Sequence, residues 1–239
     1  MFEKPTDVYA NPSNLFSTRY AISAIFKNVY LWMTMALAIS GLTAMLVAGN
    51  PALMQSIYAG RGTLFILFLI QFGLIWLISS RIGNMSFVTA TLLFIAYSIV
   101  TGVTLSSIFL LFTTGSIASV FFITAGTFAA LSIYGFVTKK DLSTWHTYLL
   151  MGLIGLIIAS IVNWFLASEL IYWIISYVGV AIFIGLTAYD TQKIKQLAYA
   201  SQMEDEDTRN KVALLGAITL YLDFINLFLY ILRIFGKRK

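Results

Sequence analysis

Between Arg81 and Lys139 the chain carries no charged side chain at all. A stretch of that length and apolarity has no stable place in water, and it is far too long for a single membrane-crossing helix. The cluster Thr113-Thr114-Gly115-Ser116 divides it into one span from Met85 to about Leu110 and another from Ser116 to Val137. Five further apolar stretches complete the pattern: Val29–Ala48, Gly62–Ser80, Tyr148–Ala167, Leu170–Tyr189 and Val212–Leu232. Each approaches the ~20 residues that cross a hydrocarbon core as an α-helix. Mean hydropathy of +0.87, with 59% hydrophobic and only 10% charged residues, excludes a soluble domain. Unbroken apolar runs exclude a membrane β-barrel, whose strands alternate polar and apolar residues. The expected fold is therefore an all-α polytopic membrane protein of seven transmembrane helices.

Residues 1–28 read as a cytoplasmic tail, with an interfacial helix over Leu15–Lys27. Residues 29–233 read as the membrane bundle, and residues 234–239 as a short basic tail. The N-terminal segment lacks the apolar core of a signal peptide, so no cleavage is expected. No internal repeat is visible, which gives an inverted-repeat transporter no support. With no cysteine, disulfides, thiolate metal sites and cysteine nucleophiles are excluded. The +5 formal charge is the usual basic excess of cytoplasmic loops; no Lys/Arg cluster interleaves with aromatics, so nucleic acid is not a partner.

Orientation follows from where Lys and Arg fall. With the N-terminus cytoplasmic and seven spans, ten basic residues lie inside and five outside. The outside set is Arg61 and the tail Arg233, Lys237, Arg238 and Lys239. If the last stretch turned back as a re-entrant segment, the count would become fourteen to one. Charge alone therefore prefers six spans and a re-entrant segment, whereas length permits seven. Seven is the expectation. Under either arrangement Arg81, Asp190 and the start of the last stretch share the cytoplasmic face.

The last stretch holds the chemistry. Asp223 sits at its centre, where an ionised carboxylate costs roughly 2.5–3.5 kcal/mol to insert and marks an inward-facing functional position by default. Gly216, Thr219, Asp223, Asn226 and Tyr230 follow at steps of three and four, which lines them on one helical face as a polar seam. Asp190 sits where the sixth span ends, beside Lys193 and Lys195, and also suits a simple interfacial charge. Likewise Arg81 suits a snorkelling end-anchor, and a buried Asp223 could serve only to hold helices together. Glu204-Asp205-Glu206-Asp207 suit the N-terminal end of the last helix, and lack the glycine and alternation of a calcium-binding loop. His146, the single histidine, has no second ligand at metal spacing. Ser106 and Ser107 lack a histidine deep in a facing span, so an enzyme is not expected.

The stretch Val178–Lys195 (VGVAIFIGLTAYDTQKIK), with Tyr221–Tyr230 (YLDFINLFLY) and Gly102–Phe109, resembles the transmembrane Bax inhibitor motif family. That resemblance runs from the first span to Gly236. It implies a seven-helix bundle with the last helix central, and a pH-sensitive calcium leak in which two aspartates share a proton. By motif these are Asp190 and Asp223, with Arg81 as their charge partner, although the acidic insert Glu204–Asp207 departs from the pattern.

The chemistry of such a pair agrees. Calcium wants oxygen ligands, and both carboxylates could meet it. Two adjacent carboxylates cannot both ionise cheaply, so they hold a proton between them, and an arginine could latch them shut. The expected function is a pH-sensitive cation leak channel. Its ion path and gate would be Asp190, Asp223 and Arg81, with Thr219, Asn226 and Tyr230 in support and no cofactor beyond calcium as permeant ion. A membrane-embedded regulator that restrains a membrane protease or cell-death factor is the alternative. A wet cavity reaching Asp223 would favour the channel; a dry, packed Asp223 would favour the regulator. Either protein would sit in the cell (inner) membrane, among lipid.

Overall fold

The structure, a computed structural model, describes residues 12–60, 62–201 and 204–239. In chain order its helices are α1 (Pro12–Ala48), α2 (Pro51–Tyr58), α3 (Thr63–Arg81), α4 (Phe87–Leu105), α5 (Ile108–Leu111), α6 (Thr114–Val137), α7 (Ser143–Leu166), α8 (Glu169–Ala200) and α9 (Glu206–Phe235). Seven regions, carried by α1, α3, α4, α6, α7, α8 and α9, are long and apolar enough to cross a bilayer. The fold is all-α and polytopic, as the apolar runs require.

Local sequence explains where the helices begin. Asn50 accepts from the backbone N–H groups of Ala52 and Leu53 ahead of α2, which has Pro51 in its first turn. Ser86 caps α4 through Thr89, Ser168 caps α8 through Ile171, and Asp205 caps α9 through Thr208. Within the spans, hydroxyls find acceptors one turn back. Thr124 donates to the Val120 carbonyl, Thr187 to Phe183 and Thr191 to Thr187. A polar side chain in hydrocarbon is tolerable once it is bonded in this way.

Two boundaries differ from those expected. The helix of the first span continues back to Pro12 without a break, and Ile22, Ile25, Phe26 and Val29 are buried in the core. Residues 22–28 therefore belong to the bundle, because their apolar side chains line up with the span that follows; Lys4 and the other residues of 1–11 lie outside the described residues. At the other end, α8 continues past Asp190 to Ala200, since Ile194 and Ala198 keep an apolar stripe running and bury it. Asp190 lies within a helix rather than after one.

The long C-terminal helix sits among its neighbours. Over its most apolar window, 61% of α9 is buried, against 6% for α3 and for α7. It packs on α1, α4, α6 and α8, and Leu214, Leu220, Tyr221, Leu227 and Leu232 are fully enclosed. By contrast α3 and α7 present Phe65, Phe68, Phe72, Trp76, Phe165 and their like outward, where lipid would cover them. The helix is unbroken from Glu206 to Phe235 and does not turn back. Beyond it, the tail pairs with the α5–α6 connection: Thr113 N–H donates to Lys237 O and Lys239 N–H to Leu111 O. Arg238 also donates to the Tyr172 hydroxyl, near the start of α8. The tail thus lies at the end of the bundle opposite the α8–α9 turn, and the re-entrant arrangement is excluded for this fold.

Candidate functional site

Asp190 on α8 and Asp223 on α9 meet. Their side chains are close enough to share a hydrogen bond, across the most extensive helix–helix contact in the molecule. Close approach of the two helices has local causes. Gly216 lies against Val29 and Ile194, and Gly179 lies under the Tyr230 ring, so a side chain at either position would push the helices apart. Asp223 is 5% exposed; its Oδ2 is buried without a hydrogen-bond partner. Asp190 is less enclosed and is approached by Lys193, three residues along α8, and by His146 on α7. The His146 ring lies 5.0 Å from the Tyr189 ring, centroid to centroid.

The proximity of His146 to Asp190 runs from α7 to α8 and has no signature in local spacing.

Arg81 is not part of this group. It is exposed at the end of α3, and the one ion pair among the described residues is Lys211–Asp207, at 2.7 Å. The reason is packing: α3 contacts α2 and α4 and faces α9 across a cavity of about 320 Å³, lined by Gln71, Thr101, Thr104 and Asn226 among others. The basic side chains near Asp190 are Lys193 and His146 instead.

The seam on α9 divides in the same way. Thr219 donates to the Leu215 carbonyl and Asn226 to the Leu222 carbonyl, each within its own helix. Tyr230 stacks on Phe183 of α8, and the Arg233 guanidinium lies 5.3 Å from its ring centroid. Of the seam's side chains, Asp223 is the one whose carboxyl reaches a carboxyl on a neighbouring helix. Two carboxyls fall short of the six to eight oxygens that hold calcium firmly, and no group of three or more His, Cys, Asp or Glu gathers among the described residues.

Residues just after Asp190 anchor its surroundings. Gln192 accepts from Leu142 N–H and donates to the Lys140 carbonyl, both at 2.8 Å. The Lys195 ammonium donates to the Phe136 carbonyl at 2.7 Å and lies over the Phe136 ring. The α6–α7 connection is thereby fastened to α8 beside the carboxyl pair.

The family model described as "Inhibitor of apoptosis-promoting Bax1" matches residues 22–239. The chain belongs to this Bax inhibitor family. It is 44% identical over 235 residues to the inner membrane protein YbhL of Escherichia coli, covering 98% of this chain and 100% of that one. It is 46% identical over 220 residues to a protein of Borreliella burgdorferi, covering 90% and 94%. A Rickettsia prowazekii protein is 40% identical over 212 residues, 88% of each chain. As a member of the Bax inhibitor family the chain is a multi-pass membrane protein, and Asp190 and Asp223 both lie within the matched region.

Proposed function

We propose that this Bax inhibitor family protein is a proton-gated cation leak, with calcium as the permeant ion. It would reside in the cell (inner) membrane with its N-terminus cytoplasmic, in keeping with the location in the name of its Escherichia coli relative and with the Lys/Arg distribution. One observation carries the reading: a carboxyl buried midway along α9 lies beside a second carboxyl on α8. Two such groups hold one proton between them more cheaply than two charges. With the proton in place the contact is a hydrogen bond that ties α8 to α9 and closes the path. Loss of the proton leaves two like charges in a medium of low dielectric, which repel and attract a divalent cation. Lys193 and His146 would bias that balance from the open side of Asp190. A carboxyl pair, rather than a complete cage, suits an ion that must also leave.

The test is calcium entry into liposomes containing the purified protein, measured with an enclosed indicator across a range of pH. Wild-type flux is expected to vary with pH, and Asp190→Asn and Asp223→Asn are each expected to abolish that variation. Unchanged flux and unchanged pH dependence in both variants would sink the proposal.

A second reading has its own support. Asp223 is packed and lines neither the groove at Phe224 nor the cavity at Asn226, and the family description names inhibition of an apoptosis-promoting protein. In that reading the chain is a regulator that restrains a membrane protease or cell-death factor, and the carboxyl pair only fixes α8 on α9. Liposomes that pass no calcium at any pH would favour it.

A further inference from the structure

The tail Lys237-Arg238-Lys239 places three cations on the face opposite the one where most Lys and Arg gather. Basic residues are normally scarce on that side, so a local attraction is needed to explain them. Among the described residues Glu169 is the one acidic side chain brought near this tail; it shares a polar recess with Tyr172 and Arg238, and no ion pair to it forms there. Arg238 is turned toward that recess by its bond to the Tyr172 hydroxyl. Lys237 and Lys239 are exposed and unpaired with any acid among the described residues.

The tail is held in place rather than loose. Besides its two backbone bonds to residues 111 and 113, Lys237 N–H donates to the Ser116 hydroxyl at 2.8 Å, and the Lys239 ammonium donates to the Phe109 carbonyl at 2.7 Å. Phe109 also forms the wall of an apolar groove between α1, α6 and α9, of about 240 Å³. Gly41, Ala44, Phe121, Phe224 and Phe228 line it further, and Phe121 packs edge-on against Phe224 and Phe228. Gly41, Met45 and Phe122 are exposed at its rim, so it opens sideways within the membrane-spanning region.

From this juxtaposition we infer that the groove binds one anionic phospholipid of the leaflet on the tail's side. An acyl chain lies along Phe121, Phe224 and Phe228, and the phosphate meets Lys237 and Lys239 at the groove's end. The apolar channel selects a chain and nothing polar; the two ammonium groups select a negatively charged headgroup. A second copy meeting this face with its own would bring only Glu169 among the described residues to these lysines. The site is independent of the carboxyl pair and of any flux.

The experiment reconstitutes the full chain in nanodiscs of equal phosphatidylglycerol and phosphatidylcholine, then counts the lipids retained by native mass spectrometry. Wild type is expected to retain phosphatidylglycerol preferentially. Lys237→Gln with Lys239→Gln should reduce that preference about thirtyfold, which is ~1 kcal/mol for each lysine taken twice. Gly41→Leu should displace both lipids, because a Cβ there meets open space and the longer side chain fills the groove. Equal retention of the two lipids by wild type overturns the inference, and so does undiminished preference in the double-lysine variant. Retention of a second copy or another polypeptide in place of lipid also overturns it. Thermal unfolding of each variant checks that the bundle is intact; if Gly41→Leu fails to fold, the exposed lysine pair still decides the matter.

Discussion

The hydroxyls of Ser40 on α1 and Tyr221 on α9 meet at 2.7 Å, and Ser40 donates onward to the Ser98 carbonyl of α4 at the same distance. Because the Ser40 proton is committed to Ser98, Tyr221 is the donor to Ser40. Three helices are therefore joined at one buried point, two residues before Asp223 on α9. Phe94 and Tyr97 of α4 pack edge-on against the Tyr221 ring, with centroids 5.7 and 5.9 Å away.

Tyr221→Phe keeps that ring packing and removes one donor. It is expected to cost ~0.6–1.5 kcal/mol, the range for a hydrogen bond within a membrane bundle. A double-mutant cycle with Ser40→Ala, followed by denaturant unfolding in mild detergent, should show a coupling energy of that size. Additive effects would mean that the two hydroxyls do not act together.

Gly135 on α6 lies against the backbone of α8. An added Cβ would press on the Ala188 carbonyl oxygen and come within 3.0 Å of the Thr191 Cβ. A main-chain carbonyl cannot swing aside, so Gly135→Ala must separate α6 from α8 or strain both. The expected loss is ~1–3 kcal/mol, and on the proposed leak function altered flux as well, since Asp190 sits between Ala188 and Thr191. Gly126→Ala on the same helix meets nothing within 4 Å and should be neutral or slightly stabilising. Equal stability of the two variants would contradict the close α6–α8 packing.

Asp205 caps α9 from outside the membrane: its carboxylate accepts the Thr208 N–H at 2.6 Å. That backbone hydrogen bond, with the Thr208 hydroxyl and then Lys211 and Arg209 nearby, holds the carboxyl below the usual aspartate range. A group whose value is lowered by folding stabilises the fold fully above its unfolded value, ~3.9. The contribution then fades as pH falls through the lowered folded value. Hydrogen exchange in the first turn of α9 should accordingly rise as pH drops below ~4 after correction for the intrinsic rate. Asp205→Asn should retain the cap and remove this dependence, whereas Asp205→Ala should fray the turn at every pH. A turn equally protected in all three proteins would show that the cap is dispensable.

Gln192 and Lys195 show how a motif can be visible while its purpose is not. Both stand in the Tyr-Asp-Thr-Gln-Lys-Ile-Lys run that carries the family resemblance, yet neither names its partner. Those partners are the carbonyls of Lys140 and Phe136 and the Leu142 N–H. Backbone groups look alike in any sequence, so only the approach of α8 to the α6–α7 connection selects them. His146 was obscured for a related reason, its relation to Asp190 running from α7 to α8.

Apolarity is a local property, because each residue's transfer from water to hydrocarbon is nearly independent of its neighbours. By itself the sequence therefore determined a membrane class, seven stretches long enough to cross, and a carboxylate at the centre of the last. Tertiary structure decided which of them meet. Helices that are apolar nearly all round carry little sign of which face turns inward, and small residues such as Gly135, Gly179 and Gly216 settle that by letting backbones approach. Packing carried α8 past Asp190, brought Asp190 to Asp223, left Arg81 exposed on α3, and sent the basic tail across to pair with Leu111 and Thr113. A count of charges favoured turning the last helix back; its buried face, matched to four neighbours, kept it straight.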